Sequence, residues 1–158
     1  MGYVLQTPQG SLIVVDGGRP KDAEYLAHFI QNRGGKVTTW FITHPHIDHI
    51  GALAKIVERQ SIAIDTIYGS FPDEKWVKKH CRPYRIRDYN YAIGQLKKHH
   101  LAVTDLEVGQ KLTIDDLEIR VLGVKNPEIT INPKNNSSVV LKMADASASI
   151  LFLGDLGI

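Results

Sequence analysis

Apolar positions along this chain change period once. Up to about residue 100, short β-branched runs alternate with stretches in which apolar residues recur at helical spacing; from Lys111 onward the period is two. Residues 3–6 and 12–15 read as strands around the Pro8-Gln9-Gly10 turn, a hairpin. Pro20 then opens a helix in which Ala23, Leu26, Ala27 and Ile30 share one face, and Gly34-Gly35 closes it. A strand over 37–43 follows, then a helix over 49–59 with Ile50, Leu53, Ile56 and Val57 facing inward, then a strand over 62–68. The spacing of Tyr91 or Ala92, Ile93 and Leu96 predicts a third helix over about 90–100. Strands over 111–114, 117–124, 139–143 and 149–153 complete the order, the first two joined by an Asp115-Asp116 turn. Helices first and a β-rich second part predict a helix-covered sheet in an α/β sandwich.

Composition adds bounds to this picture. With 158 residues, 43% hydrophobic and 23% charged, the chain has enough apolar material for one core and too little for two. No apolar run approaches the roughly 20 residues that span a bilayer, and no charged-then-apolar leader precedes Tyr3. Cys81 stands alone, so no internal disulfide is available. A cytoplasmic location is the expectation, unless an export signal has been removed.

The candidate chemistry concentrates in Thr43-His44-Pro45-His46-Ile47-Asp48-His49, where a strand gives way to a helix. His44 and His46, one residue apart in an extended segment, leave the chain on the same side and can share one ion. Asp48 and His49 sit at the turn into the helix, where they can address a second ion beside the first. Two ions about 3.5–4 Å apart hold a bridging water, bring its pKa down from about 15.7 towards about 7, and clamp attacking and leaving oxygens. Pro45 fixes one torsion between the flanking imidazoles. His28, His80, His99 and His100 are scattered and read as surface residues, whereas this cluster is dense and carries an acid. One cysteine rules out a zinc finger, and the helical His-Glu signature of thermolysin-type sites is absent. The expectation is a zinc-dependent hydrolase, two ions being favoured and manganese or iron being alternatives, with Asp48 the candidate catalytic carboxylate.

His44-x-His46-x-Asp48-His49 after a hydrophobic strand resembles the signature of the metallo-β-lactamase fold superfamily, whose members mostly hydrolyse esters, lactones, thioesters, phosphodiesters or β-lactams. Three more stretches carry the resemblance. Residues 12–18, ending in Asp16-Gly17-Gly18, look like the early strand whose acid supports the metal loop from behind. Residues 149–155, ending in Gly154-Asp155, look like the later strand whose aspartate bridges two ions. Asn135-Asn136-Ser137-Ser138 resembles the matching segment of the branch that includes competence-protein hydrolase domains and phosphorylcholine esterases. The resemblance implies a metallo-β-lactamase-like αββα sandwich over 1–158, of which this chain holds the N-terminal half. It implies a metal set of His44, His46, Asp48, His49 and Asp155, with Asp16 behind it and a metal-bound hydroxide as nucleophile.

Two departures accompany it. The superfamily chain runs well past its Gly-Asp strand and supplies a further histidine there, whereas this one stops at Ile158; a histidine common before that strand is replaced here by Asn135 and Asn136. Asparagine can bind a hard metal through its carbonyl, or simply make a turn. In the resembling fold two halves pack their sheets face to face, so an exposed apolar face is expected here, with self-association or docking of a separate C-terminal half.

Between the metal helix and the next strand, residues 75–87 gather Lys75, Lys78, Lys79, Arg82, Arg85 and Arg87 beside Trp76, Tyr84 and Tyr89. Such a stretch is either a solvated helix face or a surface that holds phosphate and stacks on a base or choline-like group. The candidate substrate rim is therefore Trp76, Lys79, Arg82 and Tyr84 together with Asn135, Asn136 and Ser137. The expected partner is a small ester or phosphodiester substrate, nucleic acid being a further candidate. The alternatives are a lactone, thioester or β-lactam hydrolase and a non-catalytic metal-binding fragment.

Overall fold

The computed structural model describes residues 1–157; the side chains of Tyr84 and Arg85 lie outside the described part. Nine strands and four helices follow one another as β1 (Gly2–Gln6), β2 (Leu12–Asp16), α1 (Ala23–Gln31), β3 (Lys36–Phe41), α2 (Ile47–Arg59), β4 (Ala63–Gly69), α3 (Glu74–His80), α4 (Pro83–Lys98), β5 (Val103–Asp105), β6 (Lys111–Ile114), β7 (Leu117–Gly123), β8 (Val140–Ala144) and β9 (Ser149–Phe152) among the described residues. Strands β1 to β5 form one sheet in sequence order; β1 is antiparallel to β2 and the others run parallel. Strands β6 to β9 form a second, antiparallel sheet.

Alternation along β2 and β3 decides which core each side chain joins. Leu12, Val14 and Trp40 face the helices and pack with Ala27, Ile30, Leu53, Ile56, Ala92 and Leu96. Ile13, Val15 and Phe41 face the other way and meet Ile119, Val121, Leu141, Met143 and Phe152 of the second sheet. The result is three layers, helix, sheet and sheet, in agreement with the expected metallo-β-lactamase-like arrangement. One expectation needs correction. The two sheets that pack face to face both belong to this chain, so its sandwich interior is filled from within. What remains exposed is different: Leu122, Ile150, Leu151, Leu153 and Leu156, on or near β9 and the second sheet's outer side.

The basic stretch 75–87 is helical, falling on α3 and the first turn of α4. Helix α3 was invisible to periodicity because it has only two turns and one fully buried residue, Val77; its start is set by Asp73, whose carboxylate accepts from the Trp76 amide at 2.8 Å. Helix α4 begins earlier than the apolar spacing predicts because Pro83 occupies its first turn, where the missing N–H costs nothing. Strand β5, three residues long, was likewise not anticipated.

Candidate metal centre

In a parallel arrangement the carboxyl ends of neighbouring strands share one rim. Strands β2, β3 and β4 are parallel, so Asp16 at the end of β2 and Thr43-His44 just past β3 meet there, and residues after β4 join them. Helix α2 starts on the same rim with His46 as its capping residue, and Gly154-Asp155 arrives from β9 of the second sheet.

Asp16 is buried and adopts φ 58°, a left-handed conformation unusual for a residue with a side chain. Four contacts hold it there. Its carboxylate accepts from the Thr43 amide at 2.8 Å and from the Thr43 hydroxyl at 2.8 Å, and lies 2.8 Å from His49 Nδ1; its carbonyl accepts from Trp40 Nε1 at 2.7 Å. The Asp16 carboxylate settles the His49 tautomer, and the Thr43 hydroxyl assigns that of His44. The His49 Nδ1–H donates to Asp16, so Nε2 carries the lone pair. The Thr43 hydroxyl spends its proton on Asp16, so at 3.1 Å its oxygen accepts from His44 Nδ1–H, and His44 also presents Nε2.

Both Nε2 atoms lie beside the Asp155 carboxylate. His49 Nε2 is 3.3 Å from Asp155 Oδ1, and His44 Nε2 is 3.8 Å from Asp155 Oδ2, so each carboxylate oxygen addresses a different imidazole. The candidate ligand atoms of His44, His49 and Asp155 lie within 4.8 Å of one another. His46 Nδ1 approaches His44 Nε2 to 2.8 Å. Burial disfavours the imidazolium of His49, yet the hydrogen bond and charge of Asp16, with Asp155 and Asp48 behind them, hold its pKa above the ordinary histidine value. Lone pairs aimed at a carboxylate need a proton or a cation between them. A buried set of imidazole nitrogens and a carboxylate, its tautomers already chosen, fits a divalent zinc-like ion.

The remaining candidates spread out. Asp48 is not in the convergent group: it lies in the first turn of α2, 41% exposed, 3.8 Å from Arg19, while its carbonyl accepts from the chain's amino terminus. An acidic residue there complements the helix dipole, which is an electrostatic reason for the position independent of any ion. Ser137, expected on the rim, is buried and donates to the Pro133 carbonyl at 2.7 Å, so its hydroxyl serves its own turn. Asn136 is a clamp: its amide donates to the Ile131 carbonyl and its oxygen accepts from the Gly157 amide. Asn135 leads the short 3₁₀ turn Asn135–Ser137, with its side-chain oxygen buried. Trp76 packs on His80 and donates to the Pro127 carbonyl at 3.0 Å, tying α3 to the loop before that turn. Lys79 is exposed on α3, Arg82 is exposed at the start of α4, and the Tyr84 side chain lies outside the described residues.

Sequence reasoning gave no role to two contributors, Thr43 and Ser138, which reach His44. Away from the centre, it also did not anticipate that Lys134 is fully buried, its ammonium 5.6 Å from the centre of the Tyr89 ring. A lysine next to the Asn-Asn-Ser-Ser run carried no signal of burial.

The sequence matches the Metallo-beta-lactamase superfamily over residues 2–158, and the chain belongs to that superfamily. Among curated protein sequences nothing matches. Similar solved structures include a metallo-beta-lactamase with a HARLDQ motif from Cronobacter sakazakii, at 16% identity and TM-score 0.59 over 96% of this chain and 56% of that one. A subclass B3 metallo-beta-lactamase, MEM-A1, from a soil metagenome library is 20% identical, with TM-score 0.56 over 95% and 54% of the two chains. The metallo-beta-lactamase fold protein YhfI from Bacillus subtilis is 18% identical, with TM-score 0.59 over 95% and 52%. The chain thus spans about half the length of these structures, and the likeness is one of fold. No helix among the described residues is long and apolar enough to cross a membrane.

Proposed function

We propose that this chain carries the metal centre of a metal-dependent hydrolase, with His44, His46, His49 and Asp155 as ligands and Asp16 as their support. The observation that carries the reading is Asp155, whose two oxygens face two different buried imidazoles at 3.3 and 3.8 Å. When bound, one or two divalent ions there supply Lewis acidity, lowering the pKa of a water and drawing charge from the scissile group. The chain's own residues prepare that chemistry. Asp16 orients His49 directly and His44 through Thr43. Asp48, at the mouth of the same loop, is the nearest further carboxylate in sequence and the candidate to complete the set or move a proton.

For the substrate we propose a phosphodiester or related ester. Support comes from the Asn-Asn-Ser-Ser run that resembles esterase branches of the superfamily, and from exposed Lys79 and Arg82 on the elements that follow β4. A lactone, thioester or β-lactam asks for the same centre, and the B3 enzymes sharing the fold keep that reading in the comparison. The test is to measure bound zinc, then rates on bis-p-nitrophenyl phosphate, a lactone and nitrocefin, for the wild type and His49→Ala. Zinc-dependent phosphodiester cleavage lost in His49→Ala is the expected result. Zinc bound with cleavage of another ester alone overturns the substrate, and no zinc in the wild type overturns the centre.

A further inference from the structure

The hydroxyl of Ser138 lies where the two halves of the candidate centre touch. Its oxygen is 3.3 Å from His44 Nδ1 and accepts from the Asp155 amide at 3.3 Å. The residue is buried. Contacts around it are close: a Cβ added at Gly154 would stand 2.7 Å from the Ser138 oxygen and 2.9 Å from the Thr43 Cβ. Next to it, the Val139 amide donates to the Thr43 carbonyl at 2.7 Å, joining the chain after the 3₁₀ turn to the loop that carries His44.

Hydrogen-bond logic gives this oxygen one task. His44 Nδ1 carries a proton, since the Thr43 hydroxyl has already donated to Asp16. The Asp155 amide also carries one. Both point at lone pairs of Ser138, which therefore accepts from the histidine and from the backbone of the aspartate at once. That places the first sheet's ligand and the second sheet's ligand on a common atom.

Resting on the metal-centre reading above, we propose that Ser138 is a positioning residue that sets the separation of His44 from Asp155 and, through Nδ1, fixes the direction in which His44 presents Nε2 to a metal ion. It makes no bond to substrate. Loss of the hydroxyl removes the acceptor of the Asp155 amide and one of the oxygens beside His44 Nδ1, so the gap between the ligands is no longer held.

The test compares Ser138→Ala with Ser137→Ala, whose hydroxyl bonds only within its own turn. Zinc and cobalt affinities are measured by chelator competition. In the metal-free chain, amide exchange at Asp155 and the nitrogen shifts of His44 are followed by NMR. Expected for Ser138→Ala are at least tenfold weaker metal binding, faster Asp155 exchange, a changed His44 Nδ1 shift, and hydrolysis recovering towards wild type at saturating metal; Ser137→Ala should move none of these. Metal binding within twofold of wild type in Ser138→Ala overturns the proposal while leaving the metal centre standing. A wild type that binds no metal removes the centre, and the NMR arm then decides: unchanged Asp155 exchange and His44 shift overturn the positioning role, and altered values sustain it as a structural clamp. Should Ser138→Ala fold poorly, Ser138→Cys, which keeps a weak acceptor, is expected to fall between alanine and wild type; equality with alanine in a folded protein overturns the proposal.

Discussion

One buried carboxylate supports two of the three imidazoles of the candidate centre, His49 directly and His44 through Thr43. Asp16 bonds to Thr43 and to His49, and its left-handed φ of 58° is the backbone cost of aiming it there. Asparagine tolerates that conformation and matches the shape, so Asp16→Asn tests charge and acceptor capacity with the backbone held constant. An amide has one acceptor oxygen where the carboxylate has two, so one of the two histidine supports is lost. Zinc affinity is expected to fall about 10–100-fold, read by competition with a chromophoric chelator. An unchanged affinity would show that His44 and His49 are oriented by packing alone. Gly154 gives a second residue-scale test. Its φ is 57°, and a methyl there meets Ser138 and Thr43, so Gly154→Ala should destabilise the fold by on the order of 2 kcal/mol or more in urea unfolding.

At the scale of elements, the two sheets are joined by turns as well as by their core. Asp115, in the turn between β6 and β7, accepts from the hydroxyl of Thr7 at the end of β1, and Gln9 of the same hairpin bonds to Asp116. The Thr7 hydroxyl, and after it Ser11, hold the Asp115 carboxyl below the ordinary aspartate range. A carboxylate depressed in the folded state contributes stability that is present above its unfolded pKa of about 3.9 and is lost as pH falls through the folded value. Thr7→Val removes the first of those bonds. Urea midpoints at pH 7 and pH 3 should therefore differ less in Thr7→Val than in wild type, and equal differences would mean that the clasp adds nothing.

For the whole molecule, the open feature is the second sheet. Arg120, Lys142 and Leu151 lie opposite one another on its outer side, and β9 pairs with β8 on one side only among the described residues. Ile150, Leu151 and Leu153 are about half exposed on or beside that strand, at 47%, 53% and 47%. An apolar edge of this kind recruits another strand. We propose that these 158 residues, studied by themselves, self-associate through β9. Light scattering across concentration checks it: Leu151→Lys should shift the chain towards monomer, and a monomeric wild type at high concentration would show the edge to be adequately protected.

Much of this was legible in residue order because it depends on neighbours. The helix expected over 49–59 and observed over 47–59, the hairpin at Pro8-Gln9-Gly10 and the strands after Lys111 follow from local period and turn chemistry, and the density of His44, His46 and His49 marks the candidate site within a few positions. Short α3 and β5 have too few apolar positions to show a period, and α4 was placed late because its first turn is polar. What tertiary structure alone decided concerns partners far apart in the chain. The family resemblance grouped Asp155 with the histidines, but residue order does not; they meet because β9 closes over the rim of the first sheet, while Asp48, inseparable from them in the motif, faces Arg19. Ser137 and Ser138 are adjacent in sequence and opposite in fate, one bonded to its own turn and the other set between two ligands. Periodicity tells which side of an element is apolar. It carries no information about which polar atom another strand will bring to within 3.3 Å, because that depends on strand order and on packing across two sheets.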